Sequence, residues 1–174
     1  MQNETRYLYV GCGSHRMEGF THVEVNIGKQ FNRSDISPPE ILADITRHIP
    51  LPNDSVDLVF SRATMEHLTY PELLNHFLEC YRILKKGGLV RMVVPDMDKY
   101  IRHYLDNDED LEYALGPELG NTHNPDFPYE THTDLFVHRM LYFDHRYLHN
   151  FETLSRALNK CGFSDYVDAK PGES

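Results

Sequence analysis

The chain has 174 residues, 40% hydrophobic and 25% charged, with a formal net charge of -10. That length suffices for one domain, residues 1–174, with a real core. The acidic balance excludes a surface that wraps nucleic acid or lies on an anionic membrane, because both need clustered Lys and Arg. No apolar run is long enough to span a bilayer, and the N-terminal "MQNETRYL" lacks the charge-then-apolar form of a signal peptide. Cys12, Cys80 and Cys161 are odd in number, far apart and without a CxxC pair, so a reduced cytoplasmic protein is expected.

Strand and helix signals alternate along the chain. RYLYVG at 6–11 and HVEV at 22–25 read as strands, ILADI at 41–45 as a third, and VDLVFS at 56–61 as a fourth, short and apolar like a buried parallel strand. A helix is predicted over 70–86. Thr69 and Glu72 have capping-box spacing and Pro71 lies in the first turn. Leu73, Leu74, Phe77, Leu78, Tyr81 and Leu84 recur at helical spacing. Lys85 and Lys86 suit the negative end of the helix dipole, and Gly87-Gly88 ends it. LVRMVVP at 89–95 is the fifth predicted strand, and 97–105 a further helix. Residues 106–150 are irregular, with Gly-Pro and Asn-Pro breaks and many His and aromatic residues. A helix resumes at Asn150, with Phe151, Leu154, Leu158 and Cys161 on one face, and FSDYVDAK at 163–170 reads as a sixth strand. The alternation predicts an α/β, Rossmann-like, mostly parallel sheet with helices on both faces.

Ligands of such sheets bind beyond the carboxyl ends of the strands. Gly11-Cys12-Gly13 follows the first strand, where glycines let a ligand approach the backbone. A GxG turn alone is weak evidence. Glu24 ends the second strand and could accept both hydroxyls of a ribose, or be a surface acid. Asp44, with Ile45 beside it, follows the third; it could accept from an adenine amino group, or cap a turn. SRATMEHL follows the fourth. Three such features at consecutive strand ends are much less expected by chance than one.

"VGCG", "GFTHVEV", "ADIT", "LPNDSVDLVFSRATMEHL", "RILKKGGLVRMVVPD" and "LSRALNKCGF" together resemble a class I S-adenosylmethionine-dependent methyltransferase. They are most similar to a small bacterial subgroup, methyltransferase type 11-like, often predicted to modify sugars or surface glycans. The resemblance spans most of the chain. It implies that Gly11, Cys12 and Gly13 wrap the methionine end of the cofactor. It also implies that Glu24 holds the ribose, that Asp44 and Ile45 meet the adenine, and that Ser61 and Arg62 border the methyl group. S-adenosylmethionine carries no phosphate, so a shortened loop without a phosphate-cradling helix can hold it. Three departures from the family stand out. Tyr9 replaces the acid that most members carry two residues before the first glycine, the first crossover helix is compressed to a turn or two, and the usual seventh, antiparallel strand is not expected within these residues, as in a minimal form, a truncated one or one completed by a partner. An open sheet edge of this kind could drive a homodimer.

Methyl transfer mainly requires alignment and exclusion of water, plus a base where the acceptor must lose a proton. His67, after the fourth strand, is the first candidate base, though it could instead pack under the helix. Glu66 could orient it, and Asp96, ending the fifth strand, is a further acid near the cleft. Some methyltransferases of this fold bind a divalent metal through an acid-x-x-Glu-His run; Ala63 stands three before Glu66, so no metal is expected. The Asn/Asp-Pro-Pro-aromatic signature for amide or nucleobase nitrogen is absent after the fourth strand.

His132, His138, His145 and His149 form a second set, with the last two spaced to share a helix face. They could line a cleft or a solvated face. Residues 97–150 lie where this fold places its acceptor lid. Arg139 or Arg146 could pair with an acceptor anion, or form a surface ion pair. The expected activity is methyl transfer to a small-molecule or glycan acceptor, at oxygen. A non-catalytic cofactor- or partner-binding module is the alternative. A dinucleotide oxidoreductase is a third reading, opposed by the incomplete GxGxxG.

Overall fold

A computed structural model describes residues 6–25, 38–106, 131–141 and 144–169. Most of the predicted lid, residues 107–130 with Tyr113, Phe127 and Tyr129, lies outside the described residues, as do Tyr142 and Phe143. The side chains of His132, His138 and Arg139 do too.

Among the described residues, five strands form one parallel sheet: β1 (Tyr7–Val10), β2 (Phe20–Glu24), β3 (Ile41–Leu42), β4 (Val56–Arg62) and β5 (Leu84–Val93), in the order β3-β2-β1-β4-β5. The helices are α1 (Tyr70–Ile83), α2 (Met97–Leu105), α3 (His132–Leu141) and α4 (Phe151–Lys160), and a 3-10 turn covers Met65–His67. This is a Rossmann-like α/β architecture. Strand order reverses between β1 and β4, and their register, Val10 opposite both Val23 and Ser61, sets Gly11, Glu24 and Arg62 level at one edge. A crevice opens at such a switch point because the two crossovers leave in opposite directions.

Apolar residues of β1, β2, β4, α1 and α4 make one core, with Leu8, Val10, Val23, Val59, Leu73, Phe77, Ile83 and Ala157 buried within it. The α1 capping box forms: the Glu72 carboxylate accepts from the Thr69 N–H at 2.8 Å and its hydroxyl at 2.7 Å. Asn150 and Thr153 cap α4 reciprocally, each bond 2.9 Å.

Four expectations are corrected. First, α1 stops at Ile83, and Lys85 lies in β5, where its ammonium meets both Asp57 oxygens at 2.9 and 3.0 Å. Partnering Asp57 across β4 and β5 outweighs the weaker pull of a helix end. Second, the buried stripe of α1 is Leu73, His76, Phe77, Cys80 and Ile83, while Leu78 and Tyr81 are exposed. The stripe is turned because His76 can be buried once both ring nitrogens find partners. Third, residues 163–169 form no strand. Left-handed backbone at Gly162 (φ 96°) and Asp165 (φ 61°) turns the chain, and Phe163 packs edge-on against Tyr81 of α1. Fourth, His145 and His149 share no helix face, because residues 144–150 run non-helically between α3 and α4. Backbone groups of that segment are committed to other elements instead. Arg146 and Tyr147 N–H donate to the Glu66 carbonyl at 2.8 and 3.2 Å, and His149 bridges Asp96 in parallel while its carbonyl accepts from Met97 N–H.

Candidate functional site

The loop after β1 contains turns and no helix. Gly11 and Gly13 both adopt left-handed backbone, φ 63° and 52°, which glycine tolerates without steric cost. Gly13 N–H donates to Glu24 Oε2 at 3.0 Å, and Val25 N–H to Glu24 Oε1 at 2.7 Å. The acid ending β2 is thereby fixed against the glycine turn. Each carboxylate oxygen keeps a lone pair for a further donor. A Cβ on Gly13 would meet no atom within 4 Å, so the turn faces open space there.

His22 anchors the rest of this shortened loop, a role the sequence reading missed. Its ring is buried on β2; Nε2 accepts from Met17 N–H at 2.9 Å and Nδ1–H donates to Glu40 Oε2 at 2.9 Å. His22 N–H donates to the same oxygen at 2.7 Å, and these contacts hold the Glu40 carboxyl below the usual range. Histidine at a strand position otherwise reading as core was the available signal. Cys12 is buried beside the loop, and burial pushes its thiol up to about 11, so it stays a neutral packing group.

Asp44 is turned onto its own loop. Its Oδ1 accepts from Thr46 N–H (2.9 Å) and Oγ1 (2.7 Å), and Arg47 approaches Oδ2 at 3.3 Å. The Thr46 hydroxyl chiefly holds the Asp44 carboxyl below its ordinary value. Ile45 is buried, and its carbonyl lies 3.1 Å from His76 Nδ1 of α1, so this loop is tied to the core.

At the end of β4, Ser61 is buried and Arg62 exposed. Ala63 takes an uncommon left-handed φ of 50° and turns the chain into the Met65–His67 turn. Thr64, also missed from sequence, crosses the switch point: its hydroxyl donates to the Gly11 carbonyl at 3.2 Å. Glu66 is 2% exposed; burial pushes its carboxyl up to about 7, and Oε2 has no hydrogen-bond partner among the described residues.

The His67 and His145 rings meet edge-on, 5.2 Å between centroids. Both stand beside Glu66, with one ligand-capable atom from each of the three residues within 4.8 Å of the others. Asp96 has a different use: its carboxylate accepts from Asp98 N–H at 3.0 Å and caps α2. A shallow cleft of about 230 Å³ opens beside the 144–150 segment, lined by Tyr70, Tyr147, Thr153, Arg156 and Lys160. None of the cofactor candidates lines it.

The sheet order β3-β2-β1-β4-β5, with a glycine turn after β1 and an acid ending β2, is that of a Rossmann-like fold shared by S-adenosylmethionine-dependent methyltransferases. Residues 8–92 match the family model of a methyltransferase domain. An uncharacterized protein of Methanocaldococcus jannaschii is 30% identical over 119 residues, which cover 62% of this chain and 49% of that protein. The chain thus spans about half the length of this relative. A crystal structure of a Thermotoga maritima S-adenosylmethionine-dependent methyltransferase, described as a possible histamine N-methyltransferase, is 21% identical with a TM-score of 0.58. It covers 93% of this chain and 65% of its own. A second, from Archaeoglobus fulgidus, is 17% identical with a TM-score of 0.53, covering 92% and 62%. These two likenesses are of fold. No helix among the described residues is long and apolar enough to cross a membrane.

Proposed function

We propose that this protein transfers a methyl group from S-adenosylmethionine to the oxygen of a small-molecule or glycan acceptor, with His67 as the base. One observation carries the reading: Glu24 is fixed to Gly13 N–H at the switch point, and Thr64 joins the same glycine turn to the loop bearing His67. Cofactor and acceptor candidates therefore sit on adjoining strand ends.

The pocket suits the cofactor. Glu24 keeps lone pairs for ribose hydroxyls, Gly13 leaves room for the methionine end, and Ile45 supplies an apolar edge for the adenine. Asp44 serves the adenine amino group through an oxygen already ordered by Thr46 and Arg47. Ser61 and Arg62 border the methyl position. An acidic chain also suits a sulfonium cation.

When bound, the cofactor supplies an activated methyl on sulfur. The acceptor hydroxyl passes its proton to a ring nitrogen of His67. Gly11, Gly13 and Glu24 would hold the cofactor so that its methyl group would be presented to that oxygen, with the sulfur as leaving group. Glu66 and His145 position the His67 ring. Asp96 acts through the α2 cap and the 144–150 segment. Among the described residues, α2 and the 144–150 segment are the proposed acceptor side.

Calorimetry with S-adenosylhomocysteine, followed by a turnover screen of sugars and small hydroxyl compounds, tests this reading. Micromolar binding with turnover is expected. Binding without turnover on any acceptor would favour the cofactor-binding module, and no binding by the folded chain would overturn the pocket.

A further inference from the structure

We propose that Glu66, His67 and His145 form a binding site for one divalent transition-metal ion of the zinc or cobalt kind. The site joins the turn after β4 to the segment before α4. Local spacing argues against it, since Ala63 stands where an acid would complete a local run, and His145 is 78 residues from His67.

Geometry comes first. A carboxylate oxygen of Glu66 and one ring nitrogen of each histidine lie within 4.8 Å of one another. Ligands on a tetrahedral ion with bonds of about 2.0–2.1 Å stand roughly 3.4 Å apart. Small side-chain rotations close that difference. The two imidazoles and one carboxylate match borderline divalent ions, whereas magnesium and calcium prefer all-oxygen sets.

The ligands are also held by their backbones. Glu66 and His67 are neighbours on a single 3-10 turn. His145 precedes Arg146 and Tyr147, whose N–H groups both donate to the carbonyl of Glu66 itself. The residue before it, Asp144, is left-handed at φ 55°. Such backbone persists only where surrounding contacts hold it. The loop is therefore tied at the point where it delivers His145.

Glu66 gives an independent reason. It is 2% exposed, and its Oε2 has no hydrogen-bond partner among the described residues. An unpartnered buried carboxylate oxygen is costly, and a cation bound in this cluster offsets that cost. Three protein ligands leave at least one position of a four-coordinate ion open. An oxygen donor could take that position, a consequence that deepens the methyl-transfer reading and rests on it. The lone pair of His67 can hold the ion or take a proton, never both, so metal occupancy selects between two modes of acceptor activation.

The test uses metal-stripped full chain and cobalt(II) or zinc(II) chloride alone. We expect one equivalent of Co²⁺ to give the visible absorbance of a low-coordinate site, displaced by Zn²⁺. His145→Ala should weaken binding more than about 100-fold, beyond the loss usual for an outer-shell partner. His145→Asn and Glu66→Gln serve as milder variants, with circular dichroism reporting the fold of each. Wild-type chain that takes up no stoichiometric ion would overturn the site, as would folded variants binding as tightly as wild type. Calorimetry with S-adenosylhomocysteine runs in parallel on each protein. Intact cofactor binding without metal binding removes this inference alone, whereas absent cofactor binding removes the methyl-transfer reading.

Discussion

Thr64 closes over Gly11: a Cβ on that glycine would lie 2.2 Å from Thr64 Cγ2, and the Thr64 hydroxyl donates to the Gly11 carbonyl. This contact joins β1 to β4 where the sheet order reverses. Gly11 also has a φ of 63°. Gly11→Ala should therefore cost about 2–5 kcal/mol, from the left-handed backbone together with overpacking. Urea denaturation measures it, and Thr64→Ala in the same chain should recover part of the loss. A cost below about 1 kcal/mol would mean that the turn repacks freely.

Glu24 carries two roles at once, as acceptor for Gly13 and Val25 N–H and as proposed ribose ligand. Glu24→Ala and Asp44→Ala should each weaken S-adenosylhomocysteine binding by about 1–3 kcal/mol. Unchanged affinity in both folded variants would place the cofactor elsewhere.

His22 replaces the missing helix as the tether of the glycine loop. His22→Leu keeps the bulk but strands Met17 N–H and removes the ring's bond to Glu40, whose carboxylate keeps the backbone N–H of residue 22. We expect a stability loss of about 1–3 kcal/mol, and weaker cofactor affinity than that loss alone explains. Faster hydrogen exchange over residues 12–19 would report the freed loop; unaltered exchange there would argue against the tether.

His76 makes stability depend on pH. Burial lowers its pKa to about 4, with Nδ1–H donating to the Ile45 carbonyl and Nε2 beside the Cys80 thiol at 3.4 Å. The folded value lies below the unfolded one, near 6.5. Protonation thus favours the unfolded chain. The contribution is fully present above pH 6.5 and is lost as pH falls towards 4, by about 3 kcal/mol in total. His76→Leu should flatten the stability profile across that window. A variant with the wild-type slope would assign the pH dependence to other groups.

His67→Ala should leave cofactor affinity near normal and lower turnover by about 10²–10⁴, the range for a positioned base. Full turnover in single-turnover kinetics would remove His67 from the mechanism.

Local chemistry made much of this protein legible in one dimension. The apolar strand runs, the Thr69–Glu72 capping box and the Gly11–Gly13 turn are each set by neighbours a few residues apart. The alternation of strands with crossovers then predicted a parallel sheet and directed attention to the strand ends. What sequence could not supply were relations across many residues. The placement of Thr64 on Gly11 depends on β1 and β4 pairing. The burial of His76 depends on a carbonyl offered by the loop at Ile45. Strand ladders shortened α1 to Ile83, since pairing Leu84 with Val56 satisfies backbone groups that another helical turn would leave against the sheet. Spacing groups His145 with His149, and the fold instead delivers it to His67. Periodicity reports which face a residue shares within one element, while long-range backbone hydrogen bonds decide which elements meet.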